Sequence, residues 1–161
     1  MFKIKLLILF LISCLSISCT NKKEGNNFKL SVAYIGGEYE GLILSNKLKS
    51  HLNNLGMLIE SSRYEVQANI SHSQNLYITN IDNTSDREQI DSNISIKIFD
   101  KKLNCVTYKY DETISQFYVL ASSDQFISNS TAVEEIKIEN TDYFVMSFIN
   151  SLTESSFVCG K

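Results

Sequence analysis

Four cysteines, two histidines and one lysine pair are the residues of this chain whose type and spacing could do chemistry. Cys14 and Cys19 lie in MFKIKLLILFLISCLSISC, behind Lys3, Lys5 and an apolar run from Leu6 to Ile12. A basic start, a short apolar core and small residues at the processing point make a secretory signal. The run falls short of the roughly 20 apolar residues that span a bilayer. A cysteine directly after the small residue is where a bacterial lipoprotein signal is cut and where the thiol receives a diacylglycerol. Two cysteines compete for that role. Leu11-Ile12-Ser13-Cys14 carries leucine three residues before the cysteine, whereas Ser16-Ile17-Ser18-Cys19 carries serine there. Cys14, however, leaves an apolar core of only about 7 residues, the lower limit for a signal. Cys19 stands where apolar text gives way to Thr20-Asn21-Lys22-Lys23. Lipidation is therefore assigned to Cys19, with Cys14 as the alternative. Residues 1–18 are then the signal peptide, and 19–27 the lipidated cysteine with a flexible tether. The competing reading is an uncleaved anchor with two idle cysteines.

Cys105 and Cys159 would sit in an oxidising compartment, where disulfides persist. Either they pair and staple the C-terminal tail to a strand, or they remain free thiols. His51 and His72 share no metal-ligand spacing with a cysteine or with each other, so no metal site is expected. Cys105 with His72 would form a thiol dyad only if the fold juxtaposed them. The chain has no Gly-rich phosphate loop, nucleophile elbow or HExxH. Neither catalysis nor a cofactor is expected. Lys101-Lys102 is the lysine pair of the folded part, since Lys22-Lys23 falls in the tether. It is either a solvated turn or a contact for a phosphate.

Composition bounds the rest. The 161 residues leave about 140 after processing, enough for one domain with a real core. Apolar residues are 43% and charged residues 20%, a globular profile. The net charge of -3 becomes -5 once Lys3 and Lys5 leave with the signal, which argues against a broad basic face for nucleic acid.

The elements that must position these residues follow from periodicity. Phe28, Leu30, Val32 and Tyr34 alternate with polar positions, which predicts a half-buried strand ended by Gly36-Gly37. Leu44, Leu48, Leu52 and Leu55 form a helical stripe within Tyr39 to Leu55, and Gly56 is placed to end that helix. Tyr64 to Ser71 alternates again, with a weaker extension through Leu76 and Ile78 before a polar loop from Asn80 to Arg87. Gln89 to Phe99 is the clearest strand, with Ile90, Ile94, Ile96 and Ile98 on one face. Its hairpin partner, Cys105 to Ile114, is expected to point Val106, Tyr108 and Tyr110 inward and Cys105, Thr107, Lys109 and Asp111 outward. Val133, Ile136, Phe144, Phe148 and Leu152 make a second helical stripe, with Ser128 to Thr131 a weak start. The expected order is β-α-β-β-β-α. Two helices packed on one face of a four-stranded, mostly antiparallel sheet give an α+β domain over 28–155, with a tail over 156–161.

This order of motifs resembles the LPS-assembly lipoproteins in their divergent alphaproteobacterial form. The likeness is carried by GLILSNKLKSHLNNL, YEVQANIS, the DSNISIKIFDKKLNCVTYKYDETIS hairpin, the FYVLASSDQF junction and the last amphipathic helix. The chain departs from the family after the lipidated cysteine, where Gly-Phe and Pro-Leu-Tyr are missing. It departs again at the last helix start, where Ser123 stands in place of proline. The resemblance implies a non-enzymatic lipoprotein anchored in the outer membrane, facing the periplasm. Such a protein plugs and helps assemble the β-barrel that inserts lipopolysaccharide, and in that role Lys101 and Lys102 become candidates for contact with glycolipid phosphates. The rival expectation is a free-standing periplasmic lipoprotein acting as a binding or accessory module.

Overall fold

The computed structural model describes residues 28–78, 85–119, 126–152 and 157–159. The elements run β1 (Leu30–Gly36), α1 (Glu38–Asn54), β2 (Tyr64–Ile78), β3 (Ser85–Asp100), β4 (Cys105–Val119) and α2 (Phe126–Leu152). One sheet holds the strands in the order β1-β2-β3-β4. β1 pairs with β2 in parallel, as a strand-helix-strand crossover requires. β2, β3 and β4 pair antiparallel as two successive hairpins. The α+β arrangement expected from the sequence is the observed one.

The period-2 pattern of the central strands fixes which face is buried. Val66, Ala68 and Ile70 of β2 sit opposite Ile98, Ile96 and Ile94 of β3, and all six are buried. Leu44, Leu48 and Leu52 of α1 and Phe144, Phe148 and Leu152 of α2 close over them. Each such fully buried leucine stabilises the fold by about 1.5–3 kcal/mol relative to exposure. Tyr108 and Tyr110 of β4 complete the layer, their ring centroids 6.2 Å and 5.8 Å from that of Phe148. An ion pair of 2.6 Å between Lys47 and Asp142 ties the two helices together.

Both outer strands depart from simple alternation, for the same reason. Tyr34, expected inward, is 72% exposed, because a bulge between Val32 and Ile35 turns Ile35 toward the core instead. On β4 the register shifts between Ile98 and Phe99, so Thr107 becomes the extra residue. Thr107 is buried and donates to the Ile98 carbonyl at 3.1 Å, while Val106 is turned outward. Tyr108 and Tyr110 keep the inward positions expected of them.

Boundaries differ more at the far end of the sheet. β3 begins at Ser85, inside the segment expected to be a loop, and it pairs with β2 as far as Ile78. α2 runs without a break through Ser128 to Thr131. At the near end, Leu55 lies past the last turn of α1 and is exposed. Gly56 follows at φ +64, the left-handed geometry that ends a helix at little steric cost.

Candidate functional site

The described side chains that could act on another molecule gather in three places. The first is the near end of the sheet, where β1 and β4 begin and Phe28 enters the domain. Arg63, just before β2, donates from Nε to both carboxylate oxygens of Asp100 at 2.9 Å and from Nη2 to Oδ2 at 2.5 Å. Asp100 also accepts the backbone N–H groups of Lys102 at 2.9 Å and Leu103 at 3.1 Å. The Arg63 hydrogen bonds, helped by these two amides, hold its carboxyl down to about 2 against the opposing effect of desolvation. One carboxylate thus clamps the turn that presents Lys101 and Lys102. Lys101 lies 3.6 Å from Glu65, and its backbone N–H donates to the Arg63 carbonyl. Lys102 is exposed.

The tail is fastened at this same end. Cys105 and Cys159 form a disulfide with their Cα atoms 5.9 Å apart. Phe157 packs edge-on against Phe28 at 4.4 Å between centroids and lies 5.5 Å from Tyr64. The tail and the entry of the chain therefore brace each other.

The second place is the sheet face away from the helices. Its β2 positions are Glu65, Gln67, Asn69, Ser71, Ser73 and Asn75, opposite Phe99, Lys97, Ser95, Asn93, Asp91 and Gln89 of β3 in that order. Thr113 donates to Asn93 at 2.7 Å. Asp91 accepts from Ser115 at 2.5 Å, Gln89 at 2.6 Å and Asn75 at 3.0 Å. Those donors, led by Ser115, hold its carboxyl below the usual range. The middle of the face is a hydrogen-bonded lattice of polar side chains, with Phe99 toward the near end and Phe117 and Val119 toward the far end.

The third place is largely buried. His72 Nδ1 lies 2.7 Å from the Ser92 hydroxyl, which also accepts from Asn140 Nδ2 at 2.9 Å. Burial pushes the His72 imidazole below its ordinary range, with Glu40 and Glu134 opposing the shift and Lys137 adding to it. A serine beside a histidine is the pairing of nucleophilic catalysis. Here, however, Ser92 has no exposed surface and Asn140 is 2% exposed. Ser92 and Asn140 are sealed between α2 and the sheet, with His72 half-buried beside them, and the cluster ties the two layers together.

His72 and Cys105 are not brought together. His72 pairs with Ser92 and Cys105 with Asp100, positions separated along β3 by roughly 26 Å. Among the described residues no group of three or more His, Cys, Asp or Glu side chains could hold a metal ion. Nor is any described helix long and apolar enough to cross a membrane. The lipidation positions Cys14 and Cys19, the tether and Ser123 lie outside the described residues.

Sequence reasoning missed the Arg63–Asp100 clamp and the His72–Ser92–Asn140 cluster. A signal existed for each. An aspartate opening the short polar connection Asp100-Lys-Lys-Leu-Asn favours capping of a turn by its carboxylate. Ser92 interrupts the inward isoleucine row between Ile90 and Ile94, where a polar side chain needs a buried partner.

No family model matches the chain, and no curated protein matches it in sequence. Solved structures do match in fold. Rare lipoprotein B from Shewanella oneidensis aligns at TM-score 0.54 and 10% identity, covering 75% of this chain and 95% of that one. Lipoprotein B from Nitrosomonas europaea aligns at TM-score 0.61 and 9% identity, covering 78% and 82% respectively. The chain has the fold of these bacterial lipoproteins. The same fold is seen in the PelC dodecamer from Paraburkholderia phytofirmans, at TM-score 0.50 and 9% identity, covering 80% and 90%. At such identities the likeness is one of architecture.

Proposed function

We propose that this chain is a non-enzymatic lipoprotein of the outer membrane, anchored through Cys19 and facing the periplasm. Its role is to plug and help assemble the β-barrel that inserts lipopolysaccharide. The observation that supports this most is the uncovered sheet face, polar across the middle of β2, β3 and β4 and internally hydrogen-bonded there, with Phe99 toward one end and Phe117 and Val119 toward the other. A plug must meet a barrel interior that is itself polar. Asn, Ser and Thr side chains can exchange hydrogen bonds with such a wall without burying a net charge. The fold shared with bacterial lipoproteins and the cysteine-terminated signal agree with an anchored domain. Lys101 and Lys102, displayed on a clamped turn, are the cations suited to glycolipid phosphates.

The second reading, a free-standing periplasmic lipoprotein serving as a binding or accessory module, is favoured by the PelC likeness. There the same fold occurs in a dodecamer. Affinity purification of the tagged full-length chain from membranes in mild detergent separates the two readings. The plug reading expects a stoichiometric, heat-modifiable barrel that stays bound in high salt. Recovery of the acylated chain alone would overturn it in favour of the free-standing module.

A further inference from the structure

The near end of the sheet combines three properties that the far end lacks together. It receives the chain from the tether, because Phe28 precedes the first residue of β1. It carries a small excess of cations, whereas the rest of the described chain is acidic. Lys29, Arg63, Lys101 and Lys102 there face Glu60, Glu65 and Asp100, four cations against three carboxylates. The rest of the described chain carries six Lys and Arg against eleven Asp and Glu. It also exposes apolar side chains beside the cations: Leu55 is 56%, Leu103 57% and Val158 68% exposed.

We infer that this end is a membrane-docking face: Lys29, Lys101 and Lys102 meet headgroup phosphates while Leu55, Leu103 and Val158 enter the interfacial layer. The inference rests on the anchored reading, and it adds a fixed orientation to the anchored domain. The tether length permits this. The nine residues from Cys19 through Asn27 reach at most about 30 Å. The far end of β4 lies roughly 45 Å up the strand from Cys105. An anchored domain therefore brings its near end to the bilayer first. Cations near an anionic surface are drawn in within a Debye length, and apolar side chains at that depth add to the binding. Phe117 and Val119 are exposed at the far end as well, but the tether does not bring them to the bilayer.

The chain contains no tryptophan, so a single reporter can be read directly. Full-length acylated protein carrying Leu103→Trp or Phe117→Trp is reconstituted into phosphatidylglycerol-phosphatidylcholine vesicles containing brominated phosphatidylcholine. The expected result is several-fold stronger quenching for Leu103→Trp than for Phe117→Trp. Adding Lys101→Glu and Lys102→Glu should bring the first down toward the second. Equal quenching of the two reporters, or stronger quenching at 117, would overturn the docking face. Quenching at 103 that ignores the charge reversal would overturn the phosphate contacts. Protein that fails to float with the vesicles would overturn the anchored reading, and this inference with it. Protein that floats but docks by neither end overturns the docking face alone.

Discussion

Arg63 grips Asp100 with three hydrogen bonds, and Asp100 in turn grips the backbone of the β3–β4 turn. The relationship turns a surface ion pair into the clasp of a hairpin. The Asp100 carboxyl, buried beneath its partner, has a folded-state pKa depressed to about 2. A depressed carboxylate contributes stability that is fully present above its unfolded pKa, near 4. That stability is lost as pH falls from there through about 2. Asp100→Asn should therefore lower Tm at neutral pH and flatten the acid limb between pH 4 and 2. An unchanged acid limb, followed by circular dichroism, would contradict the clamp.

His72 acts in a different window. Its folded pKa lies below the ordinary histidine value near 6.5, so the unfolded chain takes up the proton first. Stability is full above about pH 6.5 and declines as pH falls below it toward the folded pKa. Glu40 and Glu134 moderate the shift and Lys137 reinforces it. In His72→Gln, the fall in urea midpoint between pH 7.5 and pH 5 should shrink. A fall as large as in the parent would show that His72 does not titrate with unfolding.

The Cys105–Cys159 bridge spans a sequence separation of 54. Closing a loop of that size removes unfolded-state entropy worth about 4 kcal/mol in the chain-entropy account. Cys159→Ser should lose a large part of that stability, as should reductant. Urea unfolding with and without dithiothreitol checks this. Coincident curves would mean that the bridge does not form in the purified protein.

Phe148 is fully buried between Tyr108, Tyr110 and the helical layer. Phe148→Ala should destabilise by about 3–5 kcal/mol, through lost transfer energy and the cavity left behind. A loss under about 1 kcal/mol in chemical denaturation would place the residue outside the core. By contrast, Val106→Thr should be nearly neutral, because the β4 bulge turns Val106 toward solvent.

The central strands and both helical stripes were legible because burial on one face leaves a period in the sequence. Ile94, Ile96 and Ile98 on β3 and Leu44, Leu48 and Leu52 on α1 behave as that period demands. The outer strands were not fully legible. A bulge inserts one residue and reverses the phase, so Tyr34 and Val106 moved outward while Ile35 turned in and Thr107 became buried. The far half of β2 was legible only as a weak extension because Ser73 and Asn75 look like loop residues, although they are strand residues on the sheet face that no helix covers. The start of β3 reads as loop because Ser85 to Glu88 are polar and charged. Of the candidate site, Lys101 and Lys102 were visible as a pair. The clamp that displays them was not, since Arg63 and Asp100 are brought together only by the pairing of β2 with β3.

The central claim is that the polar sheet face meets the wall of a β-barrel. The measurement that tests it most directly is photocrosslinking in intact cells. A photoreactive amino acid at Asn93, on the open face of β3, is compared with one at Leu42, exposed on α1. The plug account predicts a single high-mass, heat-modifiable adduct from position 93, identified by mass spectrometry as the lipopolysaccharide-inserting barrel. No adduct at position 93, or adducts only with copies of the same chain, would contradict it.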